Sequence, residues 1–234
     1  MTLKVLRAGI SLMLITACGG TKEQLPAAQD SATAEANATL TSETKASKLA
    51  PGAVILFAGT SLTAGYGLDP DSAYPQQVQR LIDADGLKFQ VVNAGVSGET
   101  SSGLLRRLNW LMREPFDVIV IETGANDGLR GIPVATMEQN IQRIIEGIRS
   151  ARPKAQIVLV QMEAPPNLGA GYTTEFRQTF PRVAKKTNVT LLPFLLDGVA
   201  GVRQLNQNDG IHPNEDGERI VARNVWKGLK PLLQ

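Results

Sequence analysis

The chain holds one histidine, His212, and one cysteine, Cys18, in 234 residues. A lone cysteine excludes an intrachain disulfide, and the two residues together are too few for the usual zinc ligand sets, so no metal is expected. Neither sign of charge is in excess. With 24 basic and 22 acidic side chains the net charge is +2, which leaves no electrostatic footprint for nucleic acid. The sequence contains no Walker-type GK[ST] and no GxSxG elbow, which removes support for nucleotide hydrolysis and for the α/β-hydrolase superfamily. Long apolar runs are missing too: the run from Ala8 to Ala17 is too short to span a bilayer as a mature helix.

That short run does carry information. Lys4 and Arg7 precede it and small residues follow, the layout of a secretory signal. Ile15, Thr16, Ala17 and Cys18 resemble the bacterial lipobox, which implies a signal over 1–17, cleavage before Cys18 and lipid on its sulfur. The protein is then an exported lipoprotein held to a membrane by that lipid. Gly19 after the cysteine resembles lipoproteins sorted to the outer membrane, facing the periplasm, in a Gram-negative host. From there to residue 50 the chain is rich in Thr, Ala, Ser, Glu, Gln and Lys and has no aromatic residue, so it cannot bury enough apolar surface to fold. It reads as a tether spanning roughly 30 Å as a random coil.

Residues 51–234 have single-domain size and alternate two kinds of pattern. Ala53 to Gly59, Phe89 to Gly95, Phe116 to Glu122, Gln156 to Gln161 and Val189 to Phe194 are short apolar runs rich in β-branched residues, read as buried parallel strands. Between them Tyr74 to Asp85, Thr100 to Arg113, Val134 to Arg152 and Thr174 to Lys186 show helical spacing, and a last helix is expected to begin at Pro213. The alternation predicts an α/β fold, a three-layer sandwich on a five-stranded parallel sheet of flavodoxin-like type. Trp110 and Trp226 fall in the helical patterns and read as packing residues. No heptad or apolar surface strip appears, so a monomer is expected.

In such folds ligands bind beyond the C-terminal ends of the strands. Three polar loops, GTSLTAGYG, NAGVSGET and TGANDG, leave the strands at that edge, and NDGIHPNE follows the last strand. Asp209 and His212 are spaced so that a carboxylate can hold one imidazole nitrogen while the other serves as a base. Pro213 disfavours helical backbone at His212 and helps fix the ring.

The four blocks GTSLTAGYGL, NAGVSGET, GANDG and DGIHP resemble, in order, those of the SGNH (GDSL-type) hydrolases, closest to the arylesterase and the periplasmic thioesterase and lysophospholipase type. The resemblance implies a cofactor-free serine esterase. Ser61 is the implied nucleophile, His212 the base and Asp209 its orienting partner. The implied oxyanion hole is the Ser61 N–H, the Gly95 N–H and the Asn126 side-chain amide. The implied substrates are short to medium acyl esters, aryl esters, thioesters or lysophospholipids. Leu168, Tyr172 and Ile211 are candidates to line the acyl site, the first two within a Pro- and Gly-rich loop suited to a cleft. One departure stands out: the family block carries Asp before the serine, and this chain has Thr60. Thr60 keeps a hydrogen-bonding group and loses the charge.

Two other classes fit parts of the pattern. A Ser/Thr-rich loop after the first strand suits a flavin phosphate in a flavodoxin-type carrier, but leaves Asn126, Asp209 and His212 without a role. An esterase removing acetyl groups from envelope polysaccharide, or a lipoprotein that only binds ligand, uses the same loops.

Overall fold

A computed structural model of the protein describes residues 49–234. The expected signal, the lipid site at Cys18 and nearly all of the tether lie outside the described residues. Five strands form one parallel sheet: β1 (Ala53–Gly59), β2 (Phe89–Gly95), β3 (Val118–Ile121), β4 (Gln156–Gln161) and β5 (Thr190–Phe194), in the order β2-β1-β3-β4-β5. The β1, β3 and β4 side chains are almost entirely buried on both faces, which is why these runs read as continuously apolar instead of alternating.

The longer helices are α2 (Tyr74–Ala84), α3 (Ser101–Leu111), α5 (Val134–Ala151), α6 (Ala170–Thr187) and α7 (Glu215–Leu233). Contacts pair α2 with α7, and α5 with both α3 and α6, so the sheet is covered on its two faces by separate helix layers. In α5 the stripe Ile141, Ile144, Ile145 and Ile148 is fully buried, as its spacing predicts.

Several boundaries differ from the sequence reading for local reasons. Thr100 is a cap outside α3, its hydroxyl accepting from the Gly103 N–H. The last helix starts at Glu215: the Asn214 side chain accepts from the Gly217 N–H, while Pro213 pairs in a short bridge with Asn206. Helix α6 begins four residues early, directly after Gly169 at φ 85°. Trp226 packs as expected and donates to Asp85 at 3.0 Å, but Trp110 is a surface residue, 52% exposed. Two short helices escaped the periodicity altogether, α1 (Ser61–Ala64) and α4 (Ala125–Leu129). Both follow central strands and both carry candidate site residues.

Since the strand order reverses at β1, the loops after β1 and β3 run to opposite faces and open a crevice between them. The loops after β2, β4 and β5 surround it. Fold and sequence pattern therefore point to the same edge of the sheet.

Candidate active site

Ser61 is the first residue of α1. Thr60 caps that turn, its hydroxyl lying 3.4 Å from the Leu62 N–H. Starting a helix at this point leaves the Ser61 N–H without an intrahelical partner, and among the described residues it has no protein acceptor. Beneath the turn lies Glu122, fully buried at the end of β3. Its carboxyl group accepts from the Thr60 N–H at 2.7 Å, the Thr60 hydroxyl at 2.9 and 3.0 Å, and the Thr63 hydroxyl at 3.0 Å. Burial raises the Glu122 pKa while these bonds lower it, and burial prevails. A carboxyl group therefore lies directly beneath position 60, on a residue that sequence reading took only as the end of a strand.

His212 is 151 residues further along the chain, and its Nε2 lies 2.9 Å from Ser61 Oγ. Nδ1 lies 2.6 Å from Asp209 Oδ2. The other Asp209 oxygen accepts from the Ile211 and His212 N–H groups at 2.9 and 3.0 Å, so one carboxylate both shapes the turn and holds the ring. Partial burial acts to raise the Asp209 pKa, but the bonds from the His212 ring and the two N–H groups outweigh it and take the pKa down to about 2. Asp209 therefore stays ionised at any working pH. Gln207 joins this loop to the one after β1, donating to Tyr66 O and Pro213 O at 2.6 and 2.9 Å. The Tyr66 ring packs against the imidazole with centroids 4.7 Å apart. Neither Gln207 nor Tyr66 carries a sequence signal, since both act by packing across the crevice.

The glycine assignment needs correcting. The Gly95 N–H donates to Asn93 Oδ1 at 2.9 Å, and a Cβ on Gly95 would sit 2.3 Å from the Ala64 backbone nitrogen. Gly95 is glycine so that α1 can pack against β2. Gly98, three residues on, lines the same cavity as Ser61 and Asn126, and its φ of 77° lies in the left-handed region. Its N–H has no protein acceptor among the described residues. NAGVSGET contains both glycines, and the strand's own geometry, invisible in the sequence, engages the N–H of Gly95 and leaves that of Gly98 unengaged among the described residues. The Asn126 amide donates to Glu99 O at 3.0 Å, which fixes the side chain beside Gly98. Gly124 caps α4 at φ 104°, where a Cβ would meet Met137 Sδ at 2.9 Å.

A cavity of about 440 Å³ opens onto Ser61 and His212. Its walls include Leu129, Met162, Pro165, Phe194 and Ile211. Ile211 is placed as the sequence suggests. Leu168 and Tyr172 are not in the lining. The Tyr172 hydroxyl donates to Ile132 O at 2.7 Å and its ring stacks on Phe176, so it ties α6 down. The same Pro-rich segment reaches the cavity through Ala164, Pro165 and Pro166 instead. The arrangement pairs an exposed apolar trough with a hydroxyl, an oriented imidazole and two backbone N–H groups that have no protein acceptor among the described residues, features that suit acyl transfer.

The family described as GDSL-like lipase/acylhydrolase matches residues 57–220. The chain belongs to that family. It is 38% identical over 180 residues to the esterase TesA of Pseudomonas aeruginosa, covering 76% of this chain and 89% of that one. It is 37% identical over 180 residues to the thioesterase 1/protease 1/lysophospholipase L1 of Escherichia coli K12, covering 76% and 84%. Among solved structures, the psychrotrophic esterase EstA of Pseudoalteromonas sp., inhibited by monoethylphosphonate, superposes with a TM-score of 0.72 at 36% identity, covering 77% of this chain and 98% of that one. The family and its three-layer α/β fold agree with the sequence reading, and the protein is a carboxylic ester hydrolase.

Proposed function

We propose that the protein hydrolyses short- to medium-chain acyl esters, aryl esters among them, through an acyl-enzyme on Ser61. The observation carrying this reading is His212 between Ser61 and Asp209, at 2.9 and 2.6 Å. His212 takes the Ser61 proton as the oxygen attacks the carbonyl, then returns it to the leaving alcohol or thiol. Water, activated by the same nitrogen, releases the acid and restores the serine. Asp209 holds the ring and stabilises its charged form. The oxyanion is held by the N–H groups of Ser61 and Gly98 and by the Asn126 amide, with Gly98 replacing Gly95 in this role.

The apolar trough supports chains longer than acetyl and favours them over an acetylated sugar. Thioesters and lysophospholipids present the same acyl carbonyl. A phosphonate has the tetrahedral shape of the ester-hydrolysis intermediate, so its inhibition of the related esterase agrees with this chemistry. In this reading the enzyme works as a monomer, held to a membrane by lipid on Cys18 and a tether over 18–50, the outer membrane in a Gram-negative host. Recovery of the protein unlipidated in the growth medium would reject that location.

The test is hydrolysis of p-nitrophenyl esters of increasing acyl length by the purified protein and by Ser61→Ala. Turnover by the parent and its loss in the variant are expected, with the best rate beyond acetate. A well-folded parent without turnover, or a fully active Ser61→Ala, would overturn the reading.

A further inference from the structure

A second cavity adjoins the first. It has a volume of about 390 Å³, and the two meet along Ser97 and Gly98, which line both. Arg106, Arg107 and Arg130 are among its lining residues, and Glu99 is the one acid among the described residues that line it. That acid is already engaged: Arg107 grips both Glu99 oxygens at 2.7 to 2.9 Å and reaches Ala94 O at 2.8 Å. Arg106 makes no hydrogen bond or ion pair among the described residues. Arg130 uses one nitrogen to donate to Gly98 O at 2.9 Å and makes no other hydrogen bond among the described residues. The net charge of the whole chain is only +2, so this cationic basin is a local feature and not part of a generally basic surface.

We propose that this basin is a subsite for a phosphate group of the substrate, with Arg106 and Arg130 as its ligands. The inference rests on the esterase reading and deepens it. Guanidinium groups suit phosphate oxygens because their planar forks match them two bonds at a time. Position sets the spacing. The basin shares Ser97 and Gly98 with the cavity that holds Ser61, so it suits a substrate whose phosphate lies close to its ester carbonyl. A lysophospholipid meets that requirement, its phosphodiester separated from the ester oxygen by the three glycerol carbons. In an acyl-coenzyme A thioester the nearest phosphate lies beyond the whole pantetheine arm. The same chemistry also explains why an esterase with an apolar acyl trough keeps uncompensated arginines beside it.

The experiment compares paired substrates with equal acyl chains: lysophosphatidylglycerol against monoacylglycerol, and acyl-coenzyme A against acyl-N-acetylcysteamine. The full-length protein, Arg106→Gln and Arg106→Glu are assayed at low and high salt. Arg106 is exposed on α3 and touches nothing in the candidate catalytic set, so turnover of the neutral partners should stay within about twofold. On the phosphate-bearing substrate, kcat/KM should fall about fivefold in Arg106→Gln and further in Arg106→Glu. The parent's preference should also weaken with added salt. A loss confined to the lysophospholipid pair assigns the subsite as argued. One confined to the coenzyme A pair keeps the phosphate subsite and changes the source. Unchanged charged-to-neutral ratios in Arg106→Glu would overturn the inference while leaving the esterase intact. A parent inactive on the neutral esters would instead indict the esterase reading.

Discussion

Thr60→Asp restores the residue that the family block carries before the serine, and the structure says what that costs. The Thr60 hydroxyl lies 2.9 Å from Glu122 Oε2, with position 60 only 1% exposed and Glu122 not exposed at all. An aspartate there faces the Glu122 carboxyl group at close to the same separation. Two charges about 3 Å apart repel by about 5 kcal/mol at an effective dielectric of about 20. Holding one proton on a carboxylate at pH 7 costs about 4 kcal/mol from ordinary carboxyl pKa values. Repulsion exceeds that cost, so the folded variant keeps a shared proton that its unfolded chain releases. The folded pKa is raised, so stability is full below the ordinary carboxyl range and is lost as pH rises towards the folded value. Urea unfolding at pH 5 and pH 8 should show Thr60→Asp losing roughly 2 to 3 kcal/mol more than the parent over that interval. Short-ester turnover should persist at pH 6, since Ser61, His212 and Asp209 are untouched. Equal pH dependence in variant and parent would refute the charge argument, and complete inactivity at both pH values would show that position 60 has been misread.

Four further outcomes follow from the same geometry. Burial raises the Glu218 pKa to about 8, against the bond it accepts from the Tyr74 N–H, so stability should decline as pH rises from 4.5 to 8. Glu218→Gln should flatten that decline, by roughly 3 kcal/mol in denaturant titrations across the range. Gly95→Ala should lower Tm sharply, because its Cβ meets the α1 backbone. Gly98→Ala meets open space, with its nearest side-chain neighbour 3.8 Å away, and carries only the backbone strain of φ 77°, so it should lower Tm less than Gly95→Ala while reducing kcat, which thermal melts and steady-state rates together resolve. Asn126→Ala should reduce kcat about a hundredfold or more with little change in Tm.

The sequence carried the sheet because buried parallel strands are continuous apolar runs, as in VILFA and VIVI, and the long helices because α5 and α7 have a clear apolar face. The one-turn helices α1 and α4 are too short to show a period, and they depend on the strands before them. Asp209 and His212 were legible since their geometry is local, a turn closed by its own carboxylate. Gly98 did not stand out because NAGVSGET offers two glycines and only the packing of Gly95 on α1 tells their surroundings apart. Glu122 was missed for a related reason: a carboxyl group 62 residues from Thr60 meets it only in the folded sheet. Leu168 and Tyr172 misled because composition marks the Pro- and Gly-rich segment without saying which of its side chains turns towards the cleft.

The central claim is that Ser61 is the nucleophile activated by His212. Treating the protein with a p-nitrophenyl alkylphosphonate and mapping the adduct by mass spectrometry tests it directly. One phosphonyl group per chain, on the peptide holding Ser61, is expected, and His212→Ala should slow its formation by at least about a hundredfold. Labelling at another residue, or labelling of Ser61 at the parent rate in His212→Ala, would contradict the account.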